Sequence, residues 1–195
     1  MAERPLSLVR LEGARVVVRT TTIADAPSYL RYFDRNRAHL EPWESTHDPI
    51  FYTEPFWVER LASHDDERER GTMLRLSIFD RDDGERGEIA GMLGLTQIQA
   101  RAPVWNARVG YSLDASKEGR GMMSEALALV VRYSFDVLGL KRLLAGYVPR
   151  NTRSAKVLAR AGFVKEGYYR EFLYLNGVWE DHVETSLINP DWRES

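Results

Sequence analysis

The sequence predicts one α+β domain, with a mixed, mostly antiparallel central sheet flanked by helices. Three observations carry that expectation. Apolar runs of strand length alternate along the chain with segments that repeat at helical spacing. Two of the connections contain Asp83-Gly84 and Asn176-Gly177, dipeptides that close antiparallel hairpins. The chain of 195 residues, 44% apolar and 29% charged, can bury one sizeable core, and no repeat, linker or low-complexity stretch divides it. Residues 1–195 are therefore read as a single domain.

The elements follow in order. "ARVVVRT" (14–20) reads as a strand. Thr22 stands where it could cap a helix from Ile23 to Asn36, on which Ala26, Tyr29, Leu30 and Phe33 recur at helical spacing. "HLEPWESTHDPIFYTEPF" reads as an ordered loop with short helical pieces, leading to a helix from about Glu54 to Glu69. The charged run "HDDERER" (64–70) reads as the solvated end of that helix. "TMLRLSIFD" and "GEIAGMLGLTQIQ" are two strands joined through the turn Arg81–Glu85, and "NARVGYSL" is a third. The next helix runs from Gly121 to about Leu138, with Met122, Ala126, Leu129, Val130, Tyr133 and Val137 on one stripe and Gly139 as its C-cap. "KRLLAGYV" is a strand. Thr152 to Ala161 is a helix that Gly162 ends, and "FVKEGYYREFLYLNGVWEDHVETSLI" closes as a hairpin.

Composition excludes several classes of function. A net charge of −2 gives no basic footprint for direct nucleic-acid binding. With no cysteine there is no disulfide, thiolate metal site or cysteine-linked intermediate. His39, His47, His64 and His182 are scattered, so no metal site is expected. No apolar run reaches 18 residues and "MAERPLSLVRLEG" lacks the apolar core of a signal peptide, so no membrane partner is expected and a cytoplasmic location is the default expectation.

The stretch "LDASKEGRGMMSEAL" (113–127) carries the chemistry. A strand ends, and Gly119-Arg120-Gly121 opens directly into a strongly amphipathic helix. Such an entrance serves a tight turn, or it serves a phosphate, because a helix start offers unpaired N–H groups and a positive dipole end. A second strand-to-helix exit, "PRNTRSAKVLARAGF", brings Asn151 and Ser154. Asn151 could equally cap its helix, and Ser154 could be a first-turn packing residue. Trp43, Trp57, Trp105 and Trp179 each have core or rim packing as the alternative to ligand contact, and His182 beside Asp181 has structural hydrogen bonding.

Strand, "EGRGMM", helix, strand, "NTRS", helix and "AGF" together resemble the acetyl-CoA-binding half of the GNAT N-acetyltransferases, over roughly residues 15–188. "NRAHLEPWES", "FVKEGYYREFLYLNGVWEDHV" and the final "PDW" resemble the ribosomal-protein-alanine branch of that superfamily, which modifies protein N-termini. The resemblance implies a sheet splayed between two strands and acetyl-CoA as co-substrate. It implies that Tyr111 to Leu113 end the splayed strand, whose free backbone pairs with the pantetheine arm. It implies that Glu118, Gly119, Arg120, Gly121, Met122 and Met123 form the pyrophosphate loop, and that Asn151 contacts the cofactor arm. Glu118 and Met123 depart from the superfamily pattern, and Glu118 is expected to point outward, away from the diphosphate. Leu158 stands where many members carry a tyrosine acid, so Ser154 becomes the candidate acid.

The reaction has its own demands. The attacking amine must be neutral, and an α-amine with a pKa of about 7.7–8.0 needs far less help than a lysine at about 10.4. Glu44, Glu171 and His182 are the candidate bases. Glu44 is favoured as the group that serves the amine. Trp43, Glu44, Tyr174, Trp179 and His182 are expected to line an aromatic acceptor slot, formed where the two flanking segments face each other. An oxyanion donor near Gly110 is expected. With no cysteine, direct attack in a ternary complex is favoured. The expected acceptor is a protein N-terminus, above all the N-terminal alanine of a ribosomal protein. A small-molecule amine, or a CoA-binding ribosome-assembly module with little catalysis, stands as the alternative. Monomer and homodimer are both open.

Overall fold

The computed structural model describes residues 5–84 and 87–194. Glu85, the last residue of the expected turn after Arg81, lies outside the described residues, as do residues 1–4 of the N-terminal segment. Among the described residues, β1 (Arg10–Glu12), β2 (Val16–Thr20), β3 (Leu74–Asp80), β4 (Ile89–Arg101), β5 (Val104–Leu113), β6 (Arg142–Tyr147), β7 (Val164–Leu175) and β8 (Val178–Ile188) form one sheet. Its spatial order is β1-β2-β3-β4-β5-β6-β8-β7. Every pairing is antiparallel except β5 with β6. The expected mixed, mostly antiparallel sheet is therefore present.

Five α-helices cover it: α1 (Ala26–Arg35), α2 (Arg37–Leu40), α3 (Glu54–Glu69), α4 (Met122–Asp136) and α5 (Thr152–Arg160). α4 packs over the aliphatic face of the sheet. Val16, Val18, Leu74, Leu76 and Ile78 meet Met122, Ala126, Leu127 and Val130 there, and Leu158 joins them from α5. α1 and α3 cover the other face with an aromatic core in which Phe33 stacks on Trp57 at 4.7 Å and 9°. Side chains alternate across a strand, so β5 serves both layers: the Tyr111 hydroxyl reaches Ser154 on α5, whereas Ser112 accepts from the Tyr32 hydroxyl on α1 at 3.0 Å.

Several expectations needed correction. The first helix begins as a 3₁₀ turn, Ile23–Asp25, because the Asp25 carboxylate folds back to accept the Thr22 N–H at 2.8 Å. Val137 is 67% exposed, since α4 ends at Asp136 and the chain turns away through Gly139 at φ +65°. Leu127, not counted in the stripe, is fully buried. Within the charged run of α3, His64 turns inward, and burial lowers its pKa to about 4. β1 was not expected. β4 lies two residues later than predicted and β5 starts two residues earlier, so the two meet at a tight turn after Arg101.

One buried polar network ties α1 to the start of the glycine loop. Asp114, just after β5, accepts from Arg35 Nε (2.6 Å), Asn36 Nδ2 (3.0 Å), and the Ser116 N–H (2.9 Å) and hydroxyl (2.7 Å). Burial alone would raise its pKa, but the hydrogen bonds from Asn36, Ser116 and Arg35 outweigh it and hold the carboxyl well below the usual range.

Candidate active site

The site starts at a fork. β5 and β6 pair only at Asn106–Arg142, Ala107–Leu143 and Arg108–Leu144, and then diverge. Val109 to Leu113 keep β4 on one side and have no ladder partner on the other. Two features hold the fork. Arg108 reaches from β5 to Glu184 on β8 in a bidentate pair (2.7 and 2.8 Å), a geometry that fixes direction as well as distance. The pair passes β6 where Gly146 stands opposite Glu184. A Cβ on Gly146 would come within 2.2 Å of His182 Nε2, so the close approach requires glycine.

Downstream of the fork comes the glycine loop. Gly119 and Gly121 take φ of +75° and +74°, and neither has an atom within 4 Å of where a Cβ would stand. The glycines are there for backbone conformation and for open space above it. The first α4 bond runs from the Glu125 N–H to the Gly121 carbonyl at 3.1 Å. The N–H groups of Met122, Met123 and Ser124 lie ahead of it with no intrahelical acceptor, at the positive end of a 15-residue helix.

Fork and loop open into one groove of about 610 Å³. Tyr111 and Leu113 line it from β5; Glu118, Gly119, Gly121, Met122 and Met123 from the loop; Asn151, Arg153, Ser154, Lys156 and Arg160 from the α5 side. Asn151 does two things: it lines the groove, and its Oδ1 caps α5 by accepting the Ser154 N–H at 3.0 Å. Ser154 Oγ lies 3.0 Å from the Tyr111 hydroxyl. Burial pushes that phenol up to about 12, against the hydrogen bond from Ser154, so Tyr111 stays protonated.

A further wall of the groove is formed by His39, Leu40, Trp43 and Glu44. Glu44 also borders a second cavity of about 180 Å³, lined by Phe33, Tyr52 and His47 among others. Its carboxylate lies 3.1 Å from His47 Nε2, and the His47 ring stacks on Phe51 at 3.7 Å.

The family follows from this geometry and from comparison. The sequence matches the acetyltransferase (GNAT) domain over residues 15–164. This chain belongs to the GNAT acetyltransferase family. It is 36% identical to the ribosomal protein uS5-alanine N-acetyltransferase of Escherichia coli K12 over 184 residues, covering 94% of this chain and 93% of that one. The crystal structure of the ribosomal-protein-S5-alanine acetyltransferase of Vibrio fischeri superposes with a TM-score of 0.89 at 38% identity, over 95% of this chain and 100% of that one. RimJ of Mycobacterium smegmatis, in complex with CoA-disulfide, gives a TM-score of 0.84 at 28% identity, over 96% and 90%.

As a GNAT enzyme the chain uses acetyl-CoA, and its residues fit that molecule: a free strand edge, a helix start with unpartnered N–H groups, and basic residues on α5 beside them. Among the described residues, no cluster could hold a metal ion, and no helix is long and apolar enough to cross a membrane. Leu158 is 1% exposed, packed in the core.

Three sequence expectations fare differently. Glu118 does not point outward: it lines the groove, paired with Arg153 and 3.5 Å from His39 Nε2, because α5 presents a cation to it. The Arg120 side chain is exposed and does not line the groove. Of the expected acceptor-slot residues, Trp43 and Glu44 line the groove, whereas Tyr174 and Trp179 do not. Tyr174 and Trp179 are 56% and 58% exposed and pack on each other at 5.4 Å, while Trp43 lies under the Arg150 guanidinium at 4.6 Å. His182 is buried in β8 near Phe172, and burial holds its pKa below the usual value. Glu171 sits in an irregular stretch of β7 at φ +49°. The Tyr111 hydroxyl, Arg108 and Arg150 went unnoticed in the sequence. Tyr111 itself was marked, but for its backbone, and Arg150 stood next to Asn151.

Proposed function

We propose that this protein transfers an acetyl group from acetyl-CoA to a protein N-terminal α-amine, with the N-terminal alanine of a ribosomal protein in the cytoplasm as the acceptor. The observation that carries the reading is a single groove running from the glycine-opened start of α4 to a carboxylate, Glu44, in a chain closely similar to uS5-alanine N-acetyltransferases.

When bound, acetyl-CoA supplies an acetyl thioester; the chain supplies the rest. The N–H groups of Met122 to Ser124 hold negative charge at the helix start. The unpaired edge of Val109 to Leu113 orients an extended arm, and its N–H groups near Gly110 stand ready for developing oxyanion charge. Glu44 attracts the protonated N-terminus and accepts its proton, directly or through water. An α-amine is mostly protonated at about pH 7 but within about one unit of its pKa, so a single partly exposed carboxylate suffices. Ser154, backed by Tyr111, donates toward the leaving sulfur. Attack within a ternary complex needs no covalent enzyme intermediate.

The test is thiol release from acetyl-CoA across a panel of N-terminal peptides, with Nα-blocked lysine peptides and small amines as controls. Turnover with an Ala-starting peptide supports the reading, and turnover confined to small amines overturns it. Glu44→Gln, assayed from pH 6 to about 9, should lose most activity at low pH, where more amine is protonated. A profile parallel to wild type with unchanged peptide KM would return Glu44 to a structural role.

A further inference from the structure

The turn between β7 and β8 does more than reverse the chain. Asn176 and Gly177 take φ of +49° and +87°, as a two-residue hairpin turn requires, and glycine would serve at 176 equally well. The asparagine side chain reaches instead to residues 41–46. Nδ2 donates to the Glu41 carbonyl and to the Glu44 carbonyl (3.3 Å), and Oδ1 accepts from Thr46 Oγ1 at 2.7 Å. Its three contacts bracket Glu44.

A second tie holds the same segment. Arg150 donates to the Pro42 carbonyl at 2.7 Å, covers Trp43, and is anchored by Glu180 on β8 at 2.6 and 2.8 Å. Arg150 directly precedes Asn151, which lines the cofactor groove. Both ties are solvent-exposed, so each bond is weak alone.

We infer that Asn176, seconded by Arg150, is a positioning residue for the acceptor: the hairpin turn latches residues 41–46 and so fixes where Glu44 stands in the groove wall. The inference rests on the reading of Glu44 as the group that meets the amine. Neither residue touches the glycine loop, so the latch governs acceptor binding and leaves acetyl-CoA binding alone.

The test uses the full chain with Asn176→Gly, which keeps the turn and removes the latch. Amide exchange across Trp43 to Thr46 should accelerate, by about tenfold for the loss of two or three exposed hydrogen bonds, while exchange over residues 119–126 stays as in wild type. KM for the acceptor peptide should rise by about the same factor, with unchanged affinity for CoA by calorimetry. Asn176→Asp retains the acceptor for Thr46 and loses both donated bonds, so it should fall between the two. Arg150→Met, which leaves the turn intact, should act in the same direction. Unchanged exchange in Asn176→Gly would overturn the latch, as would faster exchange with an unchanged peptide KM. If the wild-type protein turns over no N-terminal peptide, the acceptor reading fails separately. Exchange then decides the latch alone: acceleration retains it and no change removes it.

Discussion

Gly121 offers a test in which stability and affinity should move in opposite directions. Its φ is +74°, and a Cβ there would meet nothing within 4 Å. Gly121→Ala therefore costs only the backbone term, about 1–2 kcal/mol for an L residue held in the left-handed region. Gly121→Asp bears a similar cost, but its carboxylate at the start of α4 recovers about 0.3–1 kcal/mol from the helix dipole. The aspartate variant should thus melt slightly above the alanine one. For acetyl-CoA the order reverses. The new carboxylate stands before the N–H groups that a diphosphate needs. Like unit charges about 6 Å apart at an effective dielectric of about 20 repel by roughly 3 kcal/mol before salt screening. Screening at about 0.15 M salt leaves about half of that, or roughly tenfold in affinity. Calorimetric titration of CoA and thermal melts of the three proteins measure both effects, and raising the salt should shrink the aspartate penalty alone. A folded Gly121→Asp protein that binds CoA like wild type would refute the assignment, and equal losses for Ala and Asp would refute the electrostatic account.

Three further outcomes follow from the geometry. Tyr111→Phe removes the hydroxyl 3.0 Å from Ser154 Oγ and should lower kcat by about three- to tenfold with little change in KM for acetyl-CoA, while adding it to Ser154→Ala should cost no more than Ser154→Ala alone; thiol-release kinetics on the four proteins read the coupling. Gly146→Ala puts a Cβ 2.2 Å from a buried imidazole, and urea unfolding should show a loss of about 1–3 kcal/mol. Asp114→Ala removes a buried carboxylate and leaves four hydrogen-bond donors without their acceptor, and should cost about 2–4 kcal/mol at neutral pH. Because the Asp114 pKa is depressed in the folded state, its contribution is complete above its ordinary value and fades as pH falls through the folded one. The gap between wild type and variant should therefore narrow only below about pH 4.

Local rules made much of this architecture readable. Gly119 and Gly121 announced the helix entrance because a positive φ leaves a chemical trace in the sequence. Asn176-Gly177 did the same for the hairpin. Asn151 was legible both as a cap and as a groove residue because it is both. What stayed hidden depends on distant strands lying side by side. Arg108 and Glu184 lie 76 residues apart and meet only because β6 and β8 are neighbours in the sheet. The Tyr111 hydroxyl meets Ser154 across the fork, while its position in β5 suggested only a backbone role. β1 has three residues, too few for any period to show. The join between the two acceptor segments was hidden for a related reason. Trp43, Tyr174 and Trp179 look like ligand-facing aromatics in sequence, but Arg150 and Asn176 join the two segments through polar contacts, and the sequence marked Asn176 only as a turn residue and Arg150 not at all.

The fork between β5 and β6 has a consequence for solubility. A row of unpaired backbone groups on a sheet edge ordinarily invites another strand, and proteins blunt such edges with charges, prolines or covering elements. Here the open edge is inside the sheet, at Val109 to Leu113, with α4 and α5 crowding one side and the Arg108–Glu184 brace closing its base. A whole β-strand from another molecule cannot slide in, because β6 already occupies that side of the base of the cleft. A thin, flexible chain can. The molecule thus carries an adhesive strip that is recessed beyond the reach of its own kind, and shape alone separates recognition from aggregation.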